Sequence, residues 1–445
     1  MTPLWRSQEM RCGYLSEYFE GVAVKKLSRV DATPQSNQHE IGTTRAMRRF
    51  LGEEKKTFAV VYLWLGSEQE SFSEEGTATL YDTREQQEHR GPEWRLYYPS
   101  NPVTDVMTEG ETLFLAKRTD GTLLFVVAPA GSTIQNQLLW LFGFETQPEL
   151  GFDAHQIEGS EDAELDFAAR LILDELGIEF EDPRANTLDS IIERFGGAFP
   201  KTREFSDLAR LTLPHVSAVD DPDSALIAWL NHEEALFRRL ERRIVAARLA
   251  SGFGPEPNVD VEGFIHFSLQ VQNRRKSRMG RAFENHLEAV FRAHELTFET
   301  QVVTEQRNTA DFLFPGSAEY HDQSYPTDRL TMLAAKSTCK ERWRQVLPEA
   351  RRIWPKHLIT LEPAISVAQT DQMKDERVVL VVPRPIQDSY KPEQRDALWS
   401  VNDVIELVRM RTAAPAEKLT EFLKSIDLRG LNLTREKNAG RHSDI

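Results

Sequence analysis

The sequence predicts a multidomain protein in which a β-rich domain precedes an α/β domain. In the first part of the chain, short runs of alternating or β-branched residues are separated by turns such as Asp120-Gly121. In the second half, two amphipathic helical patterns come before three apolar, strand-like runs. With 445 residues, the chain is long enough for two or three globular domains, each with its own core.

The β-rich domain is predicted over residues 10–155 and is expected to form a small barrel or sandwich. Its strand-like runs are short, and turn residues punctuate the spaces between them. The predicted strands cover residues 57–65, 77–81, 93–98, 112–117 and 122–128.

A connector is predicted over residues 156–200, where acidic residues alternate with short helix-like stretches and with Gly and Pro. The α/β domain is predicted over residues 201–433, and residues 434–445 are expected to be a polar tail. In the α/β domain, the predicted helices cover 225–249, 280–294 and 339–354, and the predicted strands cover 311–314, 330–335 and 378–382.

The composition is that of an ordinary soluble protein, with 40% hydrophobic and 28% charged residues. Its two cysteines cannot build a disulfide framework, and the amino-terminal residues lack the layout of a signal peptide. The apolar runs are far shorter than the roughly 20 residues that a bilayer span needs. We therefore expect a cytosolic protein without a membrane role.

The net charge of −16 argues at first against nucleic acid, because phosphate binding depends on Lys and Arg. The charge is unevenly distributed, however: residues 142–181 are rich in Asp and Glu, whereas residues 273–281 contain five basic residues and no acidic one. DNA responds to the local field, so a basic face remains compatible with the acidic total. The candidates for contacts with the DNA backbone are Arg274, Arg275, Lys276 and Arg278.

Two charged residues, Asp311 and Lys336, lie inside or beside apolar, strand-like runs. A charge at such a position is energetically costly and indicates a functional role. Lys336 follows Asp311 by 25 residues, which is enough for a strand, a turn and a returning strand. Glu349, on the predicted next helix, and Glu284, on the preceding helix, are further candidate carboxylates. Such a group suits metal-dependent hydrolysis of a phosphodiester, in which carboxylates hold Mg²⁺ and a lysine offsets negative charge.

The same residues allow a simpler interpretation. Asp311 is then a turn residue at a strand end, and Lys336 protects an edge strand from unwanted pairing. On this view the basic run belongs to a non-catalytic DNA-binding regulator, which binds DNA without cutting it.

Several separated blocks of the chain, among them Met332-Leu-Ala-Ala-Lys336, together resemble the EcoRII family of type II restriction endonucleases. The other blocks are 273–278, 283–288, 311–315, 320–322, 339–345 and 379–383, so the resemblance covers roughly residues 198–390. A weaker similarity upstream, at residues 24–28, 39–42 and 77–81, points to the family's amino-terminal effector domain, a DNA-binding pseudobarrel.

For the second half, the resemblance implies a nuclease of the PD-(D/E)XK fold whose second acid lies on a helix instead of a strand. It implies that Asp311 and Glu349 bind Mg²⁺, that Lys336 is the catalytic lysine, and that Glu284 and Tyr320 support the site. One departure is Pro348, directly before Glu349, which removes a backbone hydrogen bond from the predicted helix.

The segment Lys340, Glu341 and Arg342 matches the family's base-reading segment. Its chemistry suits that role, because Lys and Arg donate to guanine and Glu accepts from the amino group of cytosine. The resemblance also implies double-stranded DNA as the substrate and cleavage at CC-(A/T)-GG or CC-N-GG sites. A homodimer is implied because a pseudopalindrome matches a two-fold axis.

In the first domain, the resemblance places His39, Arg84, Glu88 and Arg90 in contact with a second, effector copy of the DNA. It further implies that this domain regulates the nuclease and that a cytosine methyltransferase protects host DNA. The alternative is that the polar residues 82–91 form only a solvated turn.

Overall fold

The computed structural model describes residues 15–32, 39–66, 71–87, 89–149, 151–157, 166–178, 185–254 and 259–413. The chain divides into two compact units. The first runs to Gly177 and includes Ala364–Ser366, and the second comprises Ile178–Pro363 and the chain from Val367 onward. This boundary falls inside the predicted connector, whereas the predicted tail over 434–445 lies outside the described residues. No helix in the described part of the chain has both the length and the apolar character needed to cross a membrane.

The first unit is built on a mixed eight-stranded sheet. Its strands are β1 (Phe19–Lys26), β2 (Glu40–Gly42), β3 (Lys56–Trp64), β4 (Phe72–Asp82), β5 (Trp94–Tyr97), β6 (Thr112–Arg118), β7 (Leu123–Ala128) and β8 (Phe152–Gln156). Their order across the sheet is β2-β5-β4-β3-β7-β6-β1-β8, and all neighbours are antiparallel except the parallel pair β3 and β7. The predicted β-rich character is confirmed, and closure of the sheet into a pseudobarrel remains a prediction.

The hairpin between β6 and β7 shows how the sequence specifies this sheet. Both strands are apolar and largely buried, and a tight turn at Asp120 and Gly121 joins them. Gly121 adopts φ +85°, and its N–H donates to the Arg118 carbonyl at 2.9 Å, while the Asp120 carboxylate accepts from the Thr122 N–H at 2.9 Å. The unit also contains the helices α1 (Arg45–Leu51), α2 (Pro102–Val106), α3 (Thr133–Leu141) and α4 (Phe167–Glu175).

The second unit contains a five-stranded sheet with the order β13-β12-β11-β10-β9. Strand β10 is antiparallel to both of its neighbours, β9 and β11, whereas β11, β12 and β13 are parallel. The near-continuous apolar and buried character of β11 and β13 is typical of parallel strands that are covered on both faces. The strands are β9 (Glu299–Val303), β10 (Thr309–Phe314), β11 (Thr331–Lys336), β12 (Lys356–Thr360) and β13 (Val378–Val381).

Helices supply the rest of the second unit. The longest two, α7 and α8, pack against each other and against α6. The helices are α5 (Ala185–Ile192), α6 (Thr202–Leu211), α7 (Pro222–Ala250), α8 (Val261–Ala293), α9 (Ser317–His321), α10 (Val367–Asp375), α11 (Arg384–Gln387), α12 (Pro392–Arg395) and α13 (Val401–Ala413).

The predicted helix over residues 339–354 was wrong. A short 3₁₀ helix covers Lys340–Val346, and the chain then turns instead of continuing as an α-helix. Pro348 provides the physical reason, because it has no N–H to donate and its ring crowds the preceding turn. In the second unit, the strands β9 and β12 were also not predicted, nor was the part of α8 before residue 280, which carries most of the basic run.

Candidate active site

The sheet of the second unit brings Asp311 and Lys336 together. Strands β10 and β11 run antiparallel with Phe312 opposite Leu333, so the start of one strand lies beside the end of the other. The Asp311 Oδ2 atom accepts hydrogen bonds from the Ala335 N–H at 2.8 Å and from the Lys336 ammonium at 2.9 Å. The spacing argument that paired these two residues therefore gives the correct geometry.

Glu349 reaches the same region from the turn after the 3₁₀ helix. Its side chain is buried, and its charge interacts with those of Asp311 and Lys336. The Glu349 Oε2 atom has no hydrogen-bond partner among the described residues. A buried carboxylate oxygen without a donor is unusual and needs an explanation, which a bound cation would provide.

Helix α8 contributes Glu284, which is partly buried. Gln301, on β9, links this side chain to Asp311: its amide nitrogen lies 3.3 Å from the Glu284 Oε2 atom and 3.3 Å from the Asp311 Oδ1 atom. Gln301 was not among the predicted site residues. It has φ +54°, a conformation that is costly for a residue other than Gly and that is often found at functional sites.

The charges in this cluster are unbalanced. Burial, followed by the charge of Asp311, raises the pKa of Glu349 to about 7 and the pKa of Glu284 to about 6. Burial lowers the pKa of Lys336, but the nearby Asp311, Glu349 and Glu284 outweigh this effect and leave its pKa raised. Lys336 therefore stays an ammonium, and it lies among three carboxyl groups, two of which have raised pKa values.

The cluster fits a hard divalent cation. No group of three or more His, Cys, Asp or Glu side chains is arranged to hold a metal within the described parts of the chain. Mg²⁺, however, is commonly held by only one or two carboxylates, with water and phosphate as the remaining ligands. Asp311 and the unpaired oxygen of Glu349 supply two such carboxylates.

Tyr320, which was predicted to support the site, is bonded elsewhere. Its hydroxyl donates to the two carboxylate oxygens of Glu305 at 2.6 and 2.7 Å. Glu305 also accepts the Arg351 N–H at 3.2 Å, two residues beyond Glu349. The structure thus connects Tyr320 to the turn that carries Glu349 and not to the carboxylates themselves.

In the predicted base-reading segment, the structure describes the side chain of Arg342, while those of Lys340 and Glu341 lie outside the description. Arg342 is exposed, and its guanidinium donates to the Thr338 carbonyl at 3.3 Å and to the Thr338 hydroxyl. The side chain is therefore presented to solvent six residues after Lys336, the last residue of β11.

The basic run lies on α8, and its members differ in position. Arg274 is exposed and lies over the Phe199 ring at 4.2 Å, whereas Arg275 is bonded to the buried Glu241 at 2.6 Å. Arg278 is buried, with its guanidinium 2.8 Å from Glu233 and 3.9 Å from the Phe237 ring centroid. Because Arg278 is buried and points into the protein, we do not propose it as a contact with the DNA backbone. The side chain of Lys276 lies outside the description.

In the first unit, His39 packs edge-on against Tyr98, with 5.7 Å between ring centroids. Arg84 forms an ion pair with Glu93, and Arg90 is exposed. Glu88 lies outside the described residues.

Residues 237–405, which include Asp311, Lys336, Glu349 and Glu284, match the family described as EcoRII C terminal. A curated relative is the type II restriction enzyme EcoRII of Escherichia coli, which is 41% identical to this chain over 186 residues. That alignment covers 42% of this chain and 45% of the relative, so the chain matches less than half the length of EcoRII.

Solved structures give further similarities. Metal-depleted Ecl18kI in complex with uncleaved DNA aligns with a TM-score of 0.41 and 18% identity, covering 55% of this chain and 92% of that chain. The restriction endonuclease PspGI in complex with substrate DNA aligns with a TM-score of 0.39 and 15% identity, covering 47% and 94% of the two chains.

Proposed function

We propose that this protein is a sequence-specific type II restriction endonuclease that hydrolyses phosphodiester bonds of double-stranded DNA with Mg²⁺. The observation that carries the proposal is the bonding of Asp311 to Lys336 across β10 and β11, with Glu284 and Glu349 beside them. These side chains lie within the EcoRII C-terminal match, and the matched relative is a restriction enzyme.

Asp311 and Glu349 are the residues that would hold Mg²⁺. When bound, the ion supplies charge stabilisation at the phosphate and acidifies a water molecule. The paired N–H and ammonium donors fix the orientation of the Asp311 carboxylate, because both bind its Oδ2 atom. The Oδ1 atom, which receives only the long contact from Gln301 among the described residues, would then be available to the cation.

Lys336 acts as a positive charge in this scheme. Because its pKa is raised, the ammonium keeps its proton at neutral pH and stabilises negative charge that develops on the phosphate oxygens. Glu284, whose pKa is raised to about 6, is closer to neutral pH and is suited to exchange a proton with water. Gln301 holds Glu284 and Asp311 at a fixed separation.

For target recognition, we propose that Lys340, Glu341 and Arg342 read C·G base pairs in the major groove. The target is then a CC-(A/T)-GG or CC-N-GG site, bound by a homodimer whose two-fold axis matches the pseudopalindrome. The contacts with the DNA backbone are then made by Arg274, Arg275 and Lys276. Of the two arginines, Arg274 is the more exposed.

For the first domain, we propose a pseudobarrel that binds effector DNA through His39, Arg84, Glu88 and Arg90 and regulates cleavage. The exposed position of Arg90 supports this role. The natural companion of such an enzyme is a cytosine methyltransferase that protects host DNA in the same cytoplasm.

Digestion of an unmethylated plasmid with several CC-(A/T)-GG and CC-N-GG sites tests the proposal directly. Discrete fragments that form with Mg²⁺ and are absent with EDTA are expected, and sequencing of their ends gives the site. Lys336→Ala is the negative control. Intact plasmid that is nevertheless retarded on a gel, both alone and with an added site-bearing oligonucleotide, would identify a non-catalytic DNA-binding regulator instead.

A further inference from the structure

Lys356, the first residue of β12, is a buried lysine that the proposed chemistry does not use. Its ammonium donates to two main-chain carbonyl oxygens in the turn before β12, those of Glu349 and, at 2.5 Å, of Ala350. A buried ammonium is costly unless its protons are bonded, and these two hydrogen bonds, with the Trp354 ring centroid 4.8 Å away, offset that cost. The Glu349 carboxylate interacts with this ammonium through its charge, and its Oε2 atom has no hydrogen-bond partner among the described residues.

The turn that Lys356 grips is strained. Ala350 has φ +42°, a strained conformation that is uncommon for a residue with a side chain. Two other contacts help to hold it: the Ala350 N–H donates to the Thr304 hydroxyl at 3.3 Å, and the Ala350 carbonyl accepts the Ile353 N–H at 2.9 Å. Such a conformation persists only where the surroundings impose it.

We infer that Lys356 is a positioning residue that locks the turn at Glu349 and Ala350 and thereby aims the Glu349 carboxylate at Asp311 and Lys336. The inference deepens the proposed function, because it rests on Glu349 serving as a cation ligand there. In an α-helix, backbone hydrogen bonds would hold the main chain that carries this carboxylate. Here the chain forms a turn without the regular hydrogen bonds of a helix, and the Lys356 ammonium holds the main chain instead.

Lys336 and Lys356 thus have different roles in the site. Lys336 bonds the carboxylate of Asp311 and contributes charge where the chemistry takes place. Lys356 bonds the main chain of Glu349 and leaves that side chain free for another partner. A neutral residue at position 356 would leave two buried carbonyl groups with fewer donors, which is costly in itself.

Hydrogen exchange of the full-length protein tests the inference. The variants are Lys356→Met, which has similar volume and no donor, and Lys356→Gln, which keeps a neutral donor. The matched control is Arg411→Met, because Arg411 is another buried cation of the unit that donates to a main-chain carbonyl, that of Leu330, at 2.6 Å. Peptides covering residues 346–354 are compared with peptides from β10 and α8.

Exchange in residues 346–354 is expected to rise about tenfold or more in Lys356→Met, by less in Lys356→Gln, and not selectively in Arg411→Met. Equal exchange in wild type and Lys356→Met would overturn the inference. An equal rise across all peptides of the second unit would overturn it too, since Lys356 would then support the whole unit and not this turn.

Metal binding supplies the functional readout. Mn²⁺ titration followed by electron paramagnetic resonance is expected to show binding weakened about 10–100-fold in Lys356→Met, as for other residues that orient ligands. Unchanged Mn²⁺ affinity in this variant would contradict the aiming role. A wild-type protein that neither binds Mn²⁺ nor cuts DNA would instead remove the proposed function, and the exchange result would still decide whether Lys356 holds the turn.

Discussion

The candidate site has two halves that the protein holds in different ways. Asp311 and Lys336 lie on adjacent strands, and the sheet register together with two hydrogen bonds to the Asp311 Oδ2 atom fixes them. Glu349 lies in a turn that side chains hold in place, and one of its carboxylate oxygens has no partner among the described residues. The register of two adjacent strands therefore fixes the charged pair, while the position of the second acid depends on side chains that hold an irregular turn.

The strand-held half should show the largest effect of substitution. Lys336→Ala is expected to lower the single-turnover cleavage rate about 10³-fold, because a preorganised charge beside the phosphate is lost. Specific DNA binding, measured by gel retardation, should stay largely intact. The exposed Lys374→Ala on α10 is the control and should cut like wild type. Loss of binding together with cleavage would show that Lys336 has a structural role.

The turn-held half should respond differently. Glu349→Gln is expected to raise the Mg²⁺ concentration for half-maximal cleavage about 10–100-fold, because one charged ligand is replaced by a neutral one. Asp311→Asn should abolish cleavage at every Mg²⁺ concentration, since it also removes the partner of Lys336. A Mg²⁺ titration of both variants checks this contrast, and identical behaviour of the two would remove the distinction between the halves.

The 3₁₀ segment that leads to the turn should govern recognition. Arg342→Ala is expected to reduce discrimination between the target and a site with one altered C·G pair by about 1–3 kcal/mol, the worth of one bidentate contact. Competition binding with matched oligonucleotides measures this. Equal losses for all DNA sequences would instead assign Arg342 to the DNA backbone.

The residues on regular strands were easier to predict from the sequence than the residue in the turn. Asp311 and Lys336 were predictable because each places a charge at the end of an apolar, strand-like run. Glu349 was predicted correctly as a neighbour but placed on a helix, although Pro348 opposes one. Gln301 was missed because β9 is short and polar.

The position of Arg278 could not be predicted either. A basic run in a helix does not reveal which member is buried, because the answer depends on packing against Glu233 and Phe237, about 40 residues earlier. The role of Lys356 could not be predicted for the same reason, because its partners are carbonyl groups in an irregular turn.

The stability of the sheet that carries Asp311 and Lys336 should depend on pH through a buried histidine. His357, on β12 beside β11, is fully buried, and this burial, with a contribution from Arg411, lowers its pKa to about 3. In the unfolded chain this histidine gains a proton below about pH 6.5, whereas in the folded protein it does so only near pH 3. Its contribution to the free energy of unfolding is therefore fully present above about pH 6.5 and is lost as the pH falls below that value. The loss between pH 6.5 and 5 is about 2 kcal/mol.

Urea unfolding of wild type and His357→Leu at pH 7 and pH 5 measures this term. The raised pKa values of Glu349 and Glu284 act in the opposite sense, stabilising the fold as pH decreases, so only the difference between the two proteins isolates His357. The acid-induced loss should be smaller in His357→Leu, and parallel losses in both proteins would contradict the assignment.

The smallest expected effect concerns Gln301, which contacts Glu284 and Asp311 over long distances of 3.3 Å. Gln301→Ala should slow cleavage only several-fold, because weak hydrogen bonds contribute about 1 kcal/mol. Gln301→Gly is the informative companion, since it removes the same side chain while relieving the φ of +54°. If the glycine variant is more stable than the alanine variant but equally slow, the strained backbone of β9 serves to bring the amide to the carboxylates. If both cut at the wild-type rate, the strand-held half needs only its register and Lys336.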